Sequence, residues 1–285
     1  MLKYIEYTNN KGHKARISDG RESQFAFHDI DGVHAPDASI STDSTAGYDG
    51  STVTSASVHM RNIVLSFFIL GDVDQAKKEL YKTFQVKREG VLHYVSDAWD
   101  VEIPCYTEKC EIPPTLRPMV ATVSLLCPEP YFRDVQSIVA DIQNVTDNLY
   151  FPLVLPEEGV ALGVINPYYS ANVINEGDVP LGMTVEFRVN GDVTKPRIIN
   201  TRTLEYIEID ASLEAGDIVQ ICTIDKQKRV TLIRGGKEYN YFNYLTDGST
   251  FLQLAEGDNE FQYLAESGGA NLFMRLYYTP LYVGV

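Results

Sequence analysis

Residues 125–134 read LLCPEPYFRD and lie near the middle of a 285-residue chain. Pro128 and Pro130 have no backbone N–H and a fixed φ, so neither a helix nor a central strand continues through them. Tyr131 and Phe132 follow at once and can anchor the exit from the preceding strand against a core. We therefore predict a stiff interdomain junction formed by these two prolines and two aromatic residues.

The second half of the chain reads as a series of short β-strands. In residues 183–189, MTVEFRV, apolar and polar side chains alternate, as in a strand that is buried on one face. Similar runs, separated by Gly-Asp and Gly-Gly turn pairs, occur at residues 204–210, 217–224, 229–233, 260–264 and 271–278. Short strands at this spacing predict a mainly β fold, with a β-sandwich or jelly-roll domain over 135–285.

The first half, residues 1–134, is predicted to form a second β-domain that contains one helix around 72–88. Asp72 and Gln75 have the spacing of a capping box. Apolar residues then recur at every fourth position, which places one apolar stripe on the helix: Ala76, Leu80 and Phe84. Gly90 is predicted to end this helix.

An extended arm is predicted around 29–57, a segment rich in Asp, Ser, Thr, Ala and Gly. So long a polar segment is unusual inside a compact domain, and its Asp-Gly steps favour the tight turns of a β-hairpin. Such an arm has little core to fold on, so we expect it to gain order on a neighbouring subunit. The candidate contact residues are Asp37, Ser41, Tyr48 and Asp49.

Charge argues against nucleic acid and membrane as partners. The formal net charge is -15, with 14 Lys and Arg against 19 Asp and Glu in residues 1–134 and 10 against 20 in residues 135–285. Neither half offers the basic face that non-specific nucleic-acid binding needs. No run of about 18 apolar residues predicts a membrane span, and residues 1–10 lack the apolar core of a secretory signal.

Neither a catalytic centre nor a metal or cofactor site is predicted. All five histidines lie in the first half and none forms a metal-binding pair motif, while the four cysteines lack zinc-site spacing and read as free thiols. Asp29–Gly32 resembles part of a calcium loop, but Ile40 stands where that loop requires Glu. A pair of carboxylates could still make a glycosidase, which the sequence alone does not locate.

A carbohydrate-binding module is the main alternative, because exposed aromatic rings on a β-sandwich can stack on sugars. The candidates in the second half are Tyr168, Tyr169, Tyr239, Tyr241, Tyr244, Tyr277 and Tyr278. Tyrosines in such pairs are equally common at protein interfaces. The single tryptophan, Trp99, lies in a strand-like run of the first half, where packing in a core is the default interpretation.

The order of these motifs resembles the siphophage distal tail protein family. The strand that runs into Cys-Pro-Glu-Pro-Tyr-Phe at 127–132 is similar to the domain junction of that family. The strand at 59–70 followed by a glycine and a single helix, and the strand pair around Trp99, resemble its first domain. Residues 175–180, NEGDVP, and the closing residues 277–282, YYTPLY, resemble its second domain.

The resemblance implies a structural protein of the virion, without enzymatic activity and without a cofactor. Members of the family form a hexameric ring between the tail tube protein and the tail-tip hub protein, around a channel through which DNA passes. Their first domains make the ring, and their second domains are galectin-like sandwiches that can hold receptor-binding proteins. The chain is then expected in the phage tail tip or baseplate, after synthesis in the cytoplasm of the host bacterium.

Overall fold

The structure is a computed structural model that describes residues 1–19, 23–113, 118–142, 145–147, 163–165 and 169–285. The chain divides into two compact units, which are Met1–Val135 together with Leu281–Val285, and Gln136–Pro280. The second unit is therefore inserted between two segments of the first. This division differs from the predicted boundary at the last five residues, of which Leu281 and Tyr282 pair with β10 and Val285 hydrogen-bonds to Val33 in the first unit.

Strands and helices of the described residues follow one another in this order. The first unit contains β1 Leu2–Asn9, β2 Lys14–Ser18, β3 Phe25–Asp31, β4 Ala38–Asp43, β5 Thr52–Val58, β6 Arg61–Ile69, α1 Val73–Thr83, β7 Glu89–Ser96, β8 Asp100–Glu111, β9 Val120–Cys127 and β10 Phe132–Asp134. The second unit contains β11 Ile138–Ile142, β12 Val145–Asp147, β13 Gly163–Ile165, β14 Tyr169–Asn175, β15 Leu181–Gly182, β16 Thr184–Val189, β17 Val193–Thr194, β18 Arg197–Asn200, β19 Tyr206–Glu208, β20 Ser212–Leu213, β21 Ile218–Cys222, β22 Arg229–Arg234, β23 Lys237–Asn240, β24 Gln253–Leu254, β25 Gly257–Leu264 and β26 Leu272–Tyr278, with short 3-10 turns at Phe242–Tyr244 and Gly269–Asn271. The chain then returns to the first unit with β27 Leu281–Tyr282.

The first unit is built around a closed sheet. Its strands follow the order β27-β10-β8-β7-β1-β2-β3-β6-β9, and β9 also pairs with β8, so the strands from β8 to β9 close on themselves. Closure removes the free edges of this part of the sheet, and β10 and β27 extend it beyond β8. Alternate residues of each strand point inward, as Ile63, Leu65 and Phe67 do on β6, where each is at most 1% exposed.

Helix α1 begins where the sequence predicts and ends earlier. The side chain of Asp72 accepts hydrogen bonds from the backbone N–H groups of Asp74 and Gln75 at 3.1 and 3.2 Å. The Gln75 amide donates to Glu79 instead of returning to the cap, so only half of the capping box forms. The helix ends at Thr83 rather than near residue 88, and the next residue, Phe84, has left helical geometry with φ -93° and ψ 53°.

Gly90 was predicted to end the helix, but this prediction is wrong. The residue lies within β7. A Cβ atom at this position would lie 2.5 Å from Cζ of Tyr7. The Tyr7 ring stacks on the ring of Phe84 with centroids 4.6 Å apart, and its hydroxyl lies 3.0 Å from that of Thr107. Glycine is therefore required at position 90 to make room for a buried aromatic pair.

The second unit is a β-sandwich. One antiparallel sheet has the order β11-β26-β16-β21-β22-β23, and the other has the order β14-β25-β18-β19. The inner faces bury alternate side chains, for example Val185 and Phe187 on β16 and Phe261 on β25, which are fully inaccessible to solvent. The prediction of a mainly β fold with a C-terminal sandwich is thereby confirmed.

Candidate functional site: the arm and its anchor

The arm consists of residues 38–58, in which β4 and β5 form a two-stranded antiparallel hairpin. At its base the backbone N–H of His59 donates to the carbonyl of Asp37 at 2.9 Å. Nearly every side chain of both strands is exposed, and Ile40 and Val53 keep 62% and 58% of their surface in contact with solvent. A protruding hairpin is thus present, although residues 29–31, included in the predicted arm, belong to β3 of the closed sheet.

The candidate contact residues of the sequence analysis all lie in or next to this arm. Asp37 precedes β4, Ser41 lies on β4, and Tyr48 and Asp49 lie in the loop between the two strands. Tyr48 is 81% exposed. Their contact with a neighbouring subunit stays a prediction.

Arg61 is the anchor that holds the root of the arm, and the sequence analysis did not identify it. It is 3% exposed, and its guanidinium group donates to three backbone carbonyls. Nε binds Pro130 at 2.8 Å, Nη1 binds Gly32 at 3.1 Å and Nη2 binds Val283 at 2.5 Å. One side chain therefore joins the segment that leads into the arm, the Pro-Glu-Pro segment and the returning C-terminal segment.

The surroundings of Arg61 are apolar as well as polar. The guanidinium carbon lies 4.7 Å from the centre of the Phe132 ring, a cation–π geometry. Burial lowers the pKa of the Arg61 guanidinium, yet an arginine remains charged at neutral pH. A buried charge of this kind is stable only when hydrogen bonds replace its water, as these three carbonyls do.

Backbone contacts near Arg61 also fix the position of the segment that leads into the arm. Gly32 has φ +81°, and a Cβ atom there would lie 2.0 Å from the carbonyl oxygen of Asn62. The N–H of Val285 donates to the carbonyl of Val33 at 3.1 Å. A cleft of about 590 Å³ opens beside these contacts and is lined mainly by residues at the two ends of the arm, among them Asp31, His34, Asp37 and His59.

The predicted junction residues lie within the first unit. Strand β9 ends at Cys127, directly before Pro128, as the missing proline N–H predicts. Phe132 is fully buried, Pro128 is exposed, and Pro130 and Tyr131 are half-buried. The chain passes to the second unit only after β10, between Val135 and Gln136. The role of these four residues in stiffening the passage between domains stays a prediction.

No group of three or more His, Cys, Asp or Glu side chains is arranged to hold a metal ion in the part of the chain that the structure describes. A hydrogen bond between the Cys105 and Cys127 thiols, together with burial, raises the pKa of Cys105, and burial raises that of Cys110 to about 11. Such thiols are not nucleophiles at neutral pH.

Several charged side chains of the second unit bind one another on one face of the six-stranded sheet. On one face of the six-stranded sheet, Asp141, Arg275, Glu186 and Gln220 lie opposite one another on successive strands. Burial opposes ionisation of Glu186, but hydrogen bonds from Gln220 at 2.9 Å and Arg188 at 2.6 Å outweigh it and lower the pKa of that carboxyl group. These polar atoms bind one another, as in a structural network.

The tyrosines considered for sugar stacking are dispersed. Tyr168 and the side chain of Tyr169 lie outside the described residues. Tyr278 is 6% exposed and donates to the carbonyl of Ile174 at 2.8 Å. Tyr241 and Tyr244 stack on each other with centroids 4.0 Å apart, which occupies one face of each ring.

Comparison with known proteins covers both units. The family profile described as "Phage tail protein RIFT-related domain" matches residues 18–127, and the profile described as "Siphovirus-type tail component, C-terminal domain" matches residues 176–282. No curated protein sequence is significantly similar to the chain. Within the described residues, no helix is long and apolar enough to cross a membrane.

Solved structures share the fold over nearly the whole chain. The crystal structure of the Dit protein of phage SPP1, described as a paradigm of the hub adsorption apparatus in phages that infect Gram-positive bacteria, is 14% identical with a TM-score of 0.67, and the match covers 98% of this chain and 99% of that one. A chain of the phage P2 baseplate in its activated conformation with Ca is 10% identical with a TM-score of 0.51, with 98% of each chain covered.

Sequence identities this low establish only that the fold is shared, whereas the two profile matches identify the family to which the sequence belongs. They match the two halves in order, and their ranges include the helix, the strand pair around Trp99 and the closing residues 277–282, but not the proline junction at 128–132. The chain belongs to the siphophage distal tail protein family, whose members are structural components of the phage tail.

Proposed function

We propose that this chain is the subunit of a ring at the distal end of a phage tail tube. Six copies close the ring through their first units, and the ring links the tail tube protein to the tail-tip hub protein and to receptor-binding proteins. The protein acts within the virion, in the tail tip or baseplate, after its synthesis in the cytoplasm of the host bacterium. It acts by structure alone, without catalysis and without a cofactor.

The observation that carries this proposal is the arm. An isolated two-stranded hairpin is marginally stable in water, and this one places Ile40 and Val53 in solvent. The segment that leads into it is nevertheless held by the buried Arg61 and by the close approach of Gly32 to the carbonyl of Asn62. A hairpin with a fixed base and an uncovered apolar surface is suited to bind a second copy of the chain. Head-to-tail contacts of this kind generate rings when the rotation between successive copies closes.

Charge supports a central channel for DNA. The net charge is -15, and both halves of the sequence are acidic. An acidic ring repels the phosphate backbone, so DNA can pass through without being retained. The names of the similar structures agree with this location, since one is described as part of a hub adsorption apparatus and the other as part of a baseplate.

Removal of the arm tests the proposal. Because the N–H of His59 already donates to the carbonyl of Asp37, residues 38–58 can be replaced by Asn-Gly, which favours a tight hairpin turn. The intact chain should sediment as a ring of six 31.9 kDa subunits and show rings in negative-stain images. The shortened chain should remain monomeric with an unchanged melting temperature. An intact chain that stays monomeric beside its tail partners would contradict the proposal.

A further inference from the structure

We propose that the arm binds through one face only, and that it binds to the basic surface at the end of helix α1 in a second copy of this chain. The inference rests on the ring proposed above and adds the two surfaces that make the contact. It follows from the register of β4 and β5, from the side chains that remain uncovered in one copy, and from the distribution of charge.

The two faces of the arm differ in chemistry. In an antiparallel pair, opposite residues share a face and successive residues alternate. One face, here called the apolar face, carries Ala38, Ile40, Thr42, Val53, Ala56 and Val58. The other, here called the hydroxyl face, carries Ser39, Ser41, Asp43, Thr52, Ser55 and Ser57. The arm is thus amphipathic even though neither face is covered.

A β-bulge produces this separation. Ser41 lies opposite Ser55 and Thr42 lies opposite Val53, so Thr54 is one extra residue on β5. Without it, Val53 and Ala56 would point to opposite faces, because they are three positions apart. The Thr54 hydroxyl donates to the carbonyl of Ser41 at 3.1 Å, which gives the bulge a hydrogen bond of its own. The bulge therefore brings Val53 onto the apolar face.

A matching surface lies at the end of α1 and in the turn that follows. This basic patch consists of Tyr81, Lys82, Val86, Lys87 and Arg88. Tyr81 and Val86 are each 52% exposed, and residues 80–88 contain no Asp or Glu. The patch therefore carries three positive charges in a chain whose net charge is -15.

Charge complementarity selects a second copy as the occupant. Residues 29–60 contain five Asp and no Lys or Arg. Two of these, Asp37 and Asp49, lie at the base and in the tip loop of the arm, whereas Asp43 lies on the hydroxyl face. Arm and patch are both uncovered in one copy, so each copy offers one donor surface and one acceptor surface. That arrangement is heterologous, and it is the kind of contact that builds a closed ring.

Matched substitutions on the two faces test the first half of the inference. The pair Ile40→Asn with Val53→Asn alters the apolar face, and the pair Ser39→Asn with Ser57→Asn alters the hydroxyl face by the same residue type. By analytical ultracentrifugation, we expect the first pair to weaken assembly about tenfold or more, since two buried aliphatic side chains are lost. The second pair should change it less than about threefold. Equal effects from both pairs would overturn the inference.

Exchange of charges between arm and patch tests the second part of the inference, that the basic patch is the surface to which the arm binds. Asp37→Lys with Asp49→Lys should weaken assembly, and so should Lys82→Glu with Lys87→Glu. A chain that carries all four changes should assemble again, because each altered arm then meets an altered patch. Failure of the fourfold variant to recover would exclude the basic patch as the acceptor. A wild-type chain that forms no ring at all would instead contradict the proposed function, so the two failures are distinguishable.

Discussion

Two hairpins of the first unit both place apolar side chains on one face, but that face is buried in one hairpin and exposed to solvent in the other. In the hairpin of β1 and β2, the alternating apolar residues Ile5, Tyr7 and Ile17 are at most 1% exposed. In the arm, Ile40 and Val53 occupy equivalent positions on one face and are more than half exposed. The difference lies in what covers them, since the β1–β2 pair lies within the closed sheet and under α1, whereas the arm extends from it.

The comparison shows that an alternating pattern indicates which face is to be buried without indicating which chain buries it. The first hairpin finds its apolar partner in its own unit, for example in Phe84. The arm has the same separation of faces and no such partner in one copy. Its sequence is therefore consistent with folding against another molecule, and each variant below tests whether the two hairpins really differ in this way.

The largest expected difference is between Tyr7→Ala and Ile40→Ala. Tyr7 is fully buried against Phe84, so its truncation leaves a cavity and should lower the free energy of unfolding of the first unit by about 4 kcal/mol. Ile40→Ala should lower it by less than about 0.5 kcal/mol, because that side chain is already in solvent. Urea denaturation of assembly-deficient protein measures both, and a large loss for Ile40→Ala would mean that the arm is folded onto its own unit.

A smaller effect is expected at the boundary between the two environments, at Arg61. Arg61→Met keeps much of the side-chain volume but leaves the carbonyls of Pro130, Gly32 and Val283 without their donor. We expect a loss of about 3 kcal/mol, measured by urea denaturation, and faster amide exchange at the root of the arm.

Arg16→Met is the matched control for that substitution. The Arg16 guanidinium also lies over an aromatic ring, 3.8 Å from the centre of Tyr4, but Arg16 is exposed. It should cost less than about 1 kcal/mol. Similar losses for the two variants would show that the three carbonyl contacts of Arg61 contribute little.

The smallest of the three effects is the loss of stability when the charge of a buried carboxylate is removed, compared with the loss at an exposed one. Asp217 is 2% exposed, and a hydrogen bond from Arg234 lowers the pKa of its carboxyl group. Its folded-state pKa lies below that of the unfolded chain, so its contribution is complete above about pH 3.9 and is lost as the pH falls through the folded-state value. Asp217→Asn should lower stability by about 2 kcal/mol at neutral pH.

The same experiment at about pH 3 should show a smaller loss for Asp217→Asn, since below about pH 3.9 the unfolded chain binds a proton at this residue and the stabilisation from the lowered pKa decreases. For comparison, Asp43→Asn in the exposed arm should change stability by less than about 0.5 kcal/mol at neutral pH. Chemical denaturation at both pH values gives these differences. A loss for Asp217→Asn that does not depend on pH would indicate that packing, rather than charge, stabilises this position.

Much of the fold was predictable because it depends on local patterns. Alternation located β16, β22 and β26 within a residue or two, and the Asp72 cap located the start of α1. The distal tail protein family and the mainly β architecture followed from the order of such motifs and are confirmed. The predicted end of α1 was wrong because Phe84 continues the apolar period of the helix in sequence and is buried, but its backbone has already left helical geometry.

The remaining features depend on contacts between residues far apart in the sequence. Arg61 binds carbonyls that lie 69 and 222 positions away, and no local pattern predicts such partners. Its only signal is a cation at the start of a mainly apolar strand. Closure of the sheet through β8 and β9, and the bulge at Thr54, likewise depend on pairing register, which the sequence does not show directly.

The return of Leu281–Val285 to the first unit sets an order for folding during synthesis. Arg61 leaves the ribosome long before Val283, which supplies one of its three acceptors, and all of Gln136–Pro280 is translated in between. Until then β10 also lacks its neighbour β27. A nascent chain can close the sheet from β1 to β9, but it cannot complete the anchor of the arm. The surface proposed to grip a second copy is therefore fully supported only when translation has passed the second unit.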